Sequence, residues 1–272
     1  MSNEEQNFFN LIESWDDTNI DIALEMMKGN KALKEAAQNK YQKLLITLKR
    51  KTLKSIKGMP KKWDKASKNT KIKLLDHLPT LKGSEMERSM NNFMESLQAL
   101  EYYQDKTLHH LPSFLPKLKG LKYLYAKYGV LNSIPAALFE LPKLSRINLI
   151  GNAIETLPTL TQTTRVNSLV LAKNNLQECS LQLQEYWPDL TELFLHCNQL
   201  STLDLGGKEQ VNLQRLVLND NKLSSLPKNI DLFPNLEELH LSNNPLETLP
   251  SCIEQCTKLV YLSVVNLSLI HI

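Results

Sequence analysis

Three residues lie between Cys252 and Cys256, His196 is followed directly by Cys197, His109 is followed directly by His110, and His240 stands alone. Thiolate and imidazole are the ligands of tetrahedral zinc, but such a site needs four donors, usually as two close pairs. No second pair follows Cys252 and Cys256. The eight glycines are scattered, and neither phosphate-cradling pattern, G-x-x-x-x-G-K-[ST] or G-x-G-x-x-G, occurs. H-E-x-x-H and G-x-S-x-G are missing as well. No nucleophile has a general base at readable spacing. These side chains read as thiols and imidazoles that a scaffold happens to carry. The expectation is a non-enzyme with no metal and no cofactor.

The scaffold itself is a repeat. From Leu121 onward the chain returns to the phrase L-x-x-L-x-L-x-x-N-x-L: LSRINLIGNAI from Leu144, VNSLVLAKNNL from Val166, LTELFLHCNQL from Leu190, LQRLVLNDNKL from Leu213 and LEELHLSNNPL from Leu236. The anchors are 121, 144, 166, 190, 213, 236 and 259, with separations of 23, 22, 24, 23, 23 and 23. Such a period marks stacked supersecondary units, none of which buries its apolar side alone. Leucines at positions one, four, six and eleven of each unit point inward. Asn152, Asn174, Asn198, Asn221 and Asn244 fall where the chain leaves the strand. An amide donates and accepts at once, so this column can satisfy backbone groups of adjacent turns. In this frame Cys256 is inward, a reduced core thiol. His196 and His240 are two units apart, roughly 10 Å, too far for a shared metal.

Several units add L-x-x-L-P, at Ile134-Pro135, Leu157-Pro158, Leu226-Pro227 and Leu249-Pro250. On these phrases and this period, the chain resembles the leucine-rich-repeat family, in its 23-residue bacterial and intracellular class, over about two thirds of its length. The resemblance implies an α/β solenoid: a right-handed horseshoe with a parallel sheet on its concave side, preceded by an α-helical region. It also implies the asparagine ladder and a binding function. Departures from the pattern are local. Gly129 replaces the ladder asparagine, and Cys179-Ser180 and Leu203-Asp204 replace Leu-Pro, so the convex side should be irregular over LQLQEYWPD and DLGGKEQVN. Before Leu121 a degenerate unit keeps Leu108, Leu111-Pro112, Leu115 and Leu118, but LEYYQ does not fit as its strand. The last unit has Leu267 in the ladder position and ends on SLIHI, mid-repeat, where a solenoid needs a polar cap. This predicts a truncated C-terminus.

Residues 1–96 follow a different grammar, with apolar residues at three- and four-residue spacings and few Gly or Pro. Helices are expected from Thr18 to Gly29, where Thr18 and Asp21 have capping-box spacing, from Lys31 to Ile56, over 61–80, and from Ser84 as far as Tyr103. The solenoid is then 97–272, with seven to eight units. The helical region is expected to cap the solenoid's first edge. Charge is unevenly placed: residues 40–82 carry fourteen Lys or Arg and two Asp or Glu, net +12, against −5 before and −4 after. Such a segment could hold nucleic acid or an anionic surface, or be a solvated helix face. Because only Arg50 is an arginine, generic electrostatics is expected over base reading. The acidic start lacks a secretory n-region, no run of 18 apolar residues spans a bilayer, and four cysteines are too few for a disulfide scaffold. Together these suggest a cytoplasmic setting.

Residues between inward leucines must face the concave side, because strand side chains alternate. The third-position column reads Tyr123, Arg146, Ser168, Glu192, Arg215, Glu238, Tyr261. The fifth reads Tyr125, Asn148, Val170, Phe194, Val217, His240, Ser263. The seventh reads Lys127, Ile150, Ala172, His196, Asn219, Ser242. Val170, Phe194 and Val217 form an apolar stripe rimmed by Glu192, Arg215, Glu238 and His196, the layout of an interface. The bland alternative is that these types suit strands and that the three charges pair with each other. The expected site comprises Tyr123, Tyr125, Arg146, Val170, Glu192, Phe194, His196, Arg215, Val217, Glu238 and His240, binding a protein or peptide. Alternatives are an adaptor using the Lys-rich segment, and the recognition arm of a larger enzyme or signalling protein.

Overall fold

The structure is a computed structural model that describes residues 3–13, 17–28, 30–37, 85–112, 114–210, 212–226 and 230–267. It divides into two compact units, Met1–Met94 and Glu95–Ile272. In the first, helices Asn3–Glu13 and Asp17–Met26 are followed by a helical stretch at 31–37. The helix at Asn3–Glu13 was not anticipated. Its Phe8 and Phe9 meet edge to face at 5.1 Å, and both are buried, as are Ala23, Leu33 and Ala37. Asn30 caps the helix at 31–37 by accepting from the Leu33 N–H at 3.1 Å. The Lys-rich segment 40–82 and the helices expected over 38–56 and 61–80 lie outside the described residues.

The second unit is a solenoid of parallel strands. Eight form one sheet: β1 (Ala99–Tyr103), β2 (Tyr123–Lys127), β3 (Arg146–Asn148), β4 (Ser168–Val170), β6 (Glu192–Phe194), β8 (Arg215–Val217), β9 (Glu238–His240) and β10 (Tyr261–Ser263). A second sheet pairs β5 (Glu178–Ser180) with β7 (Thr202–Asp204). The core is the inward leucine set. Leu124, Leu144, Leu169, Leu193, Leu195, Leu216, Leu239 and Leu241 are fully buried. In three of the units with a Leu-Pro phrase the return segment forms a short 3-10 helix, at Ala136–Leu138, Ile230–Leu232 and Ser251–Gln255. At the last strand the apolar positions are open: Leu262 is 38% exposed and Val265 63%.

Two features fix the stacking. The first is the asparagine clamp. In each of five units the side-chain amide donates to its own position-six carbonyl and to that of the preceding unit, and its oxygen accepts the preceding unit's position-eleven N–H. For Asn198 these are Leu195 O (2.9 Å), Leu171 O (3.0 Å) and Leu176 N (3.1 Å). Asn152, Asn174, Asn221 and Asn244 repeat the arrangement. The second is a left-handed residue at position eight of every unit: Gln104, Tyr128, Gly151, Lys173, Cys197, Asp220, Asn243 and Asn266, with φ between +51° and +72°. This residue turns the chain out of the strand, and Asn, Asp and Gly adopt that conformation most readily.

The expected fourth helix is shorter than the sequence suggested. It spans Glu85–Ser96, and LEYYQ, judged unfit for a strand, is the body of β1, paired along its length from Ala99↔Tyr123 to Tyr103↔Lys127. Leu97 and Leu100 supply the inward first and fourth positions of an eighth unit, 24 residues before Leu121. Burial of those two leucines favours the strand over further helix. Gly120 lets the chain pass: a Cβ there would overlap the Glu95 carbonyl oxygen.

Candidate functional site

The sheet register places the outward columns side by side. Tyr123, Arg146, Ser168, Glu192, Arg215, Glu238 and Tyr261 are successive cross-strand partners, and so are Tyr125, Asn148, Val170, Phe194, Val217, His240 and Ser263. Each column follows from the period alone, since equal repeats put equal positions opposite one another.

Charge divides the face. Toward β9, Arg215 is gripped from both sides, by Glu238 at 2.6 and 2.7 Å and by Glu192 at 3.2 Å. The Arg215 hydrogen bond holds the Glu238 carboxyl below its ordinary value and keeps Arg215 charged. His240 Nε2 lies 3.3 Å from Glu238 Oε2, and its ring leans on Tyr261 at 4.7 Å. Two carboxylates thus share one arginine. Toward β2, Tyr123 and Tyr125 lie parallel, Lys127 sits 5.0 Å from the Tyr125 ring centre, and Arg146 is exposed. Nearby Tyr103, which the sequence reading passed over, is 66% exposed and meets Tyr128 edge to face at 5.9 Å. Reading ALEYY as a strand would have found it.

Between these ends lie Val170 and Phe194, both half-buried. Val217, expected to be open, is buried at 8% exposure, flanked by Phe194 and His240 on the adjoining strands. The stripe therefore exposes less surface than its composition suggested. Phe194 contacts His196 edge to face at 6.5 Å. Burial, reinforced by the Lys173 charge against a weaker opposing pull from Asp220, lowers the pKa of His196. His196 Nδ1 and, one unit on, Asn219 Oδ1 are buried without a hydrogen-bond partner among the described residues.

None of the four cysteines forms a disulfide. Cys256 is buried and donates to Ile230 O, and Cys179 is buried with its pKa pushed up to about 12, by burial first and by Asp204 second. Thiols so raised are poor nucleophiles and ligands. Among the described residues, no group of three or more His, Cys, Asp or Glu could hold a metal ion, and no helix is long and apolar enough to cross a membrane.

The family model described as Leucine Rich Repeat matches residues 235–256. No curated protein matches the chain. Among solved structures, one similar chain comes from the Toll–Spatzle complex of Drosophila, at 25% identity over 72% of this chain and 28% of that one, with a TM-score of 0.55. A leucine-rich-repeat protein of Leptospira interrogans is 28% identical over 66% of this chain and 51% of its own, with a TM-score of 0.47. The APL1 leucine-rich repeat domain is 21% identical over 65% of this chain and 52% of its own, with a TM-score of 0.49. The chain thus spans about half or less of each of these three structures.

Proposed function

We propose that the chain, which matches the Leucine Rich Repeat model at residues 235–256, binds a protein or peptide partner on the outward face of the eight-stranded sheet, as a recognition module and not as a catalyst. The observation that carries this reading is Phe194. It is a half-buried aromatic at the centre of the fifth-position column, beside Val170 and within a rim of Glu192, Arg215 and Glu238. An aromatic anchor inside a polar rim is how binding energy concentrates at interfaces. The similar chain from the Toll–Spatzle complex, solved with a protein partner, supports the same use of the fold. Four cysteines outside any disulfide support a reducing, cytoplasmic workplace.

The test is an affinity comparison after the partner is isolated on the intact chain. Phe194→Ala should weaken binding by about 2 kcal/mol or more and leave the chain folded, with a smaller loss of stability from the uncovered edge of Val217. Glu192→Lys should act chiefly on the association rate. Equal affinities for wild type and Phe194→Ala would overturn the reading.

A further inference from the structure

The side of the solenoid opposite the eight-stranded sheet carries an open strand edge. In the units starting at Val166 and Leu190, positions thirteen to fifteen lack the Leu-Pro phrase and form β5 and β7, with Glu178↔Thr202 and Ser180↔Asp204 in register. Ser201 N–H donates to Gln177 O, and Leu181 N–H donates to Asp204 O. In a parallel ladder alternate residues direct their backbone groups to opposite edges. Residues 177, 179 and 181 therefore pair with β7, and the N–H and C=O of Glu178 and Ser180 face the other way. On that side lies the segment Thr156–Leu160. Among the described residues no backbone hydrogen bond joins it to β5.

Between them is a cleft of about 440 Å³. Its origin is in the spacing: the unit before it has 22 residues and the unit after it 24, so one return segment falls short where the next bulges. Leu160, Leu181 and Trp187 form an apolar floor, and Trp187 is fixed by Phe139 at 5.0 Å. The charged lining residues are Glu178 and Asp204, with no lysine, arginine or histidine. Asp204 is held in place by Ser180, Gln182 and the Gly206 N–H.

The geometry points to a second binding site: β5 accepts an extended segment of a partner protein as an added strand, with apolar side chains toward Trp187 and a lysine or arginine toward Glu178 and Asp204. An open edge offers main-chain pairing as the source of affinity, while the alternate side chains of the incoming strand give specificity. The acidic lining selects a basic occupant.

A labelled Val-Lys-Val-Lys-Val peptide, titrated into the full chain by fluorescence anisotropy, tests this. Binding should be saturable, and Val-Glu-Val-Glu-Val should bind on the order of tenfold more weakly. Ser180→Pro removes a donor facing the cleft and leaves the β7 ladder its own donors, while Ser180→Ala, which loses the same hydroxyl bond to Asp204 but keeps the N–H, should bind as wild type does. Ser180→Pro should abolish binding with the thermal midpoint unchanged. If that variant fails to fold, Glu178→Lys serves instead and should invert the preference between the two peptides. Phe194→Ala should leave peptide affinity unchanged, which separates this site from the sheet face. The proposal falls if wild type shows no saturable binding, or if Ser180→Pro folds and binds equally. It also falls if Phe194→Ala weakens the peptide, or if the wild type self-associates through this edge and Ser180→Pro makes it monomeric.

Discussion

Each unit has two halves, and they obey different rules. The strand half runs from the first leucine to position eleven and hardly varies. The units at Val166 and Leu213 share its strand, its left-handed turn at Lys173 or Asp220, and its asparagine clamp. The return half differs between them. One carries β5 and the short helix Leu183–Tyr186, the other a 3-10 turn at Ile230–Leu232. The clamp explains why the difference stays local. Its bonds run to position six and position eleven, so register is set before the return segment begins. Return length is free to change by a residue either way, and the cleft beside β5 is what such a change leaves.

The sharpest contrast should come from leucines in the two halves. Leu216→Ala, at a fully buried strand position, should cost about 2–5 kcal/mol in denaturant unfolding. Leu203→Ala, half-buried in β7, should cost about 1 kcal/mol or less. Similar losses would erase the distinction. Next is the clamp. Asn198→Ala strands the Leu176 N–H and takes one of two amide donors from each of the Leu171 and Leu195 carbonyls, which keep Asn174 and Asn221, so about 1–3 kcal/mol should go. Amide exchange should quicken first at Leu176, in the preceding unit, and stay slow at Leu200, whose N–H is held by Asn221.

Smaller effects refine the comparison. At position eight, Lys173→Gly should raise stability by about 0.5–1 kcal/mol by relieving a left-handed lysine. Gly151→Lys should lower it by more, since a Cβ there meets the Tyr128 ring at 2.5 Å. The smallest is electrostatic. The folded state holds the His196 pKa below its ordinary 6.5. Its contribution is therefore complete above pH 6.5 and is lost as pH falls through 6.5 toward the folded value. His196→Asn should flatten the melting temperature across that window, and an unchanged slope would remove His196 as its source.

The sequence made the strand halves legible because the period is physical. Equal spacing forces equal positions into contact, so the columns around Phe194, Arg215 and Glu238 could be written out in advance. Burial was harder to foresee. Val217 is covered by neighbours whose size and lean the register does not encode. β1 was missed because Tyr102 stands where the sixth-position leucine belongs, and Asp105 stands where the asparagine belongs. Leu97 and Leu100 were the available signal. The β5 edge was missed because the intervals of 22 and 24 were read as scatter about 23, when their order along the chain, short then long, was the information.

The clamps also determine how the molecule responds to force. Each asparagine amide reaches only its own unit and the one before it, so no bond of this kind spans three units. Tension applied at the two ends of the sheet should not break one cooperative block. It should peel units one after another, each peak freeing about 80 Å of chain, the extended length of 23 residues. Units joined by an asparagine should resist more than the junction at Gly129, where the amide is replaced by a hydrogen atom.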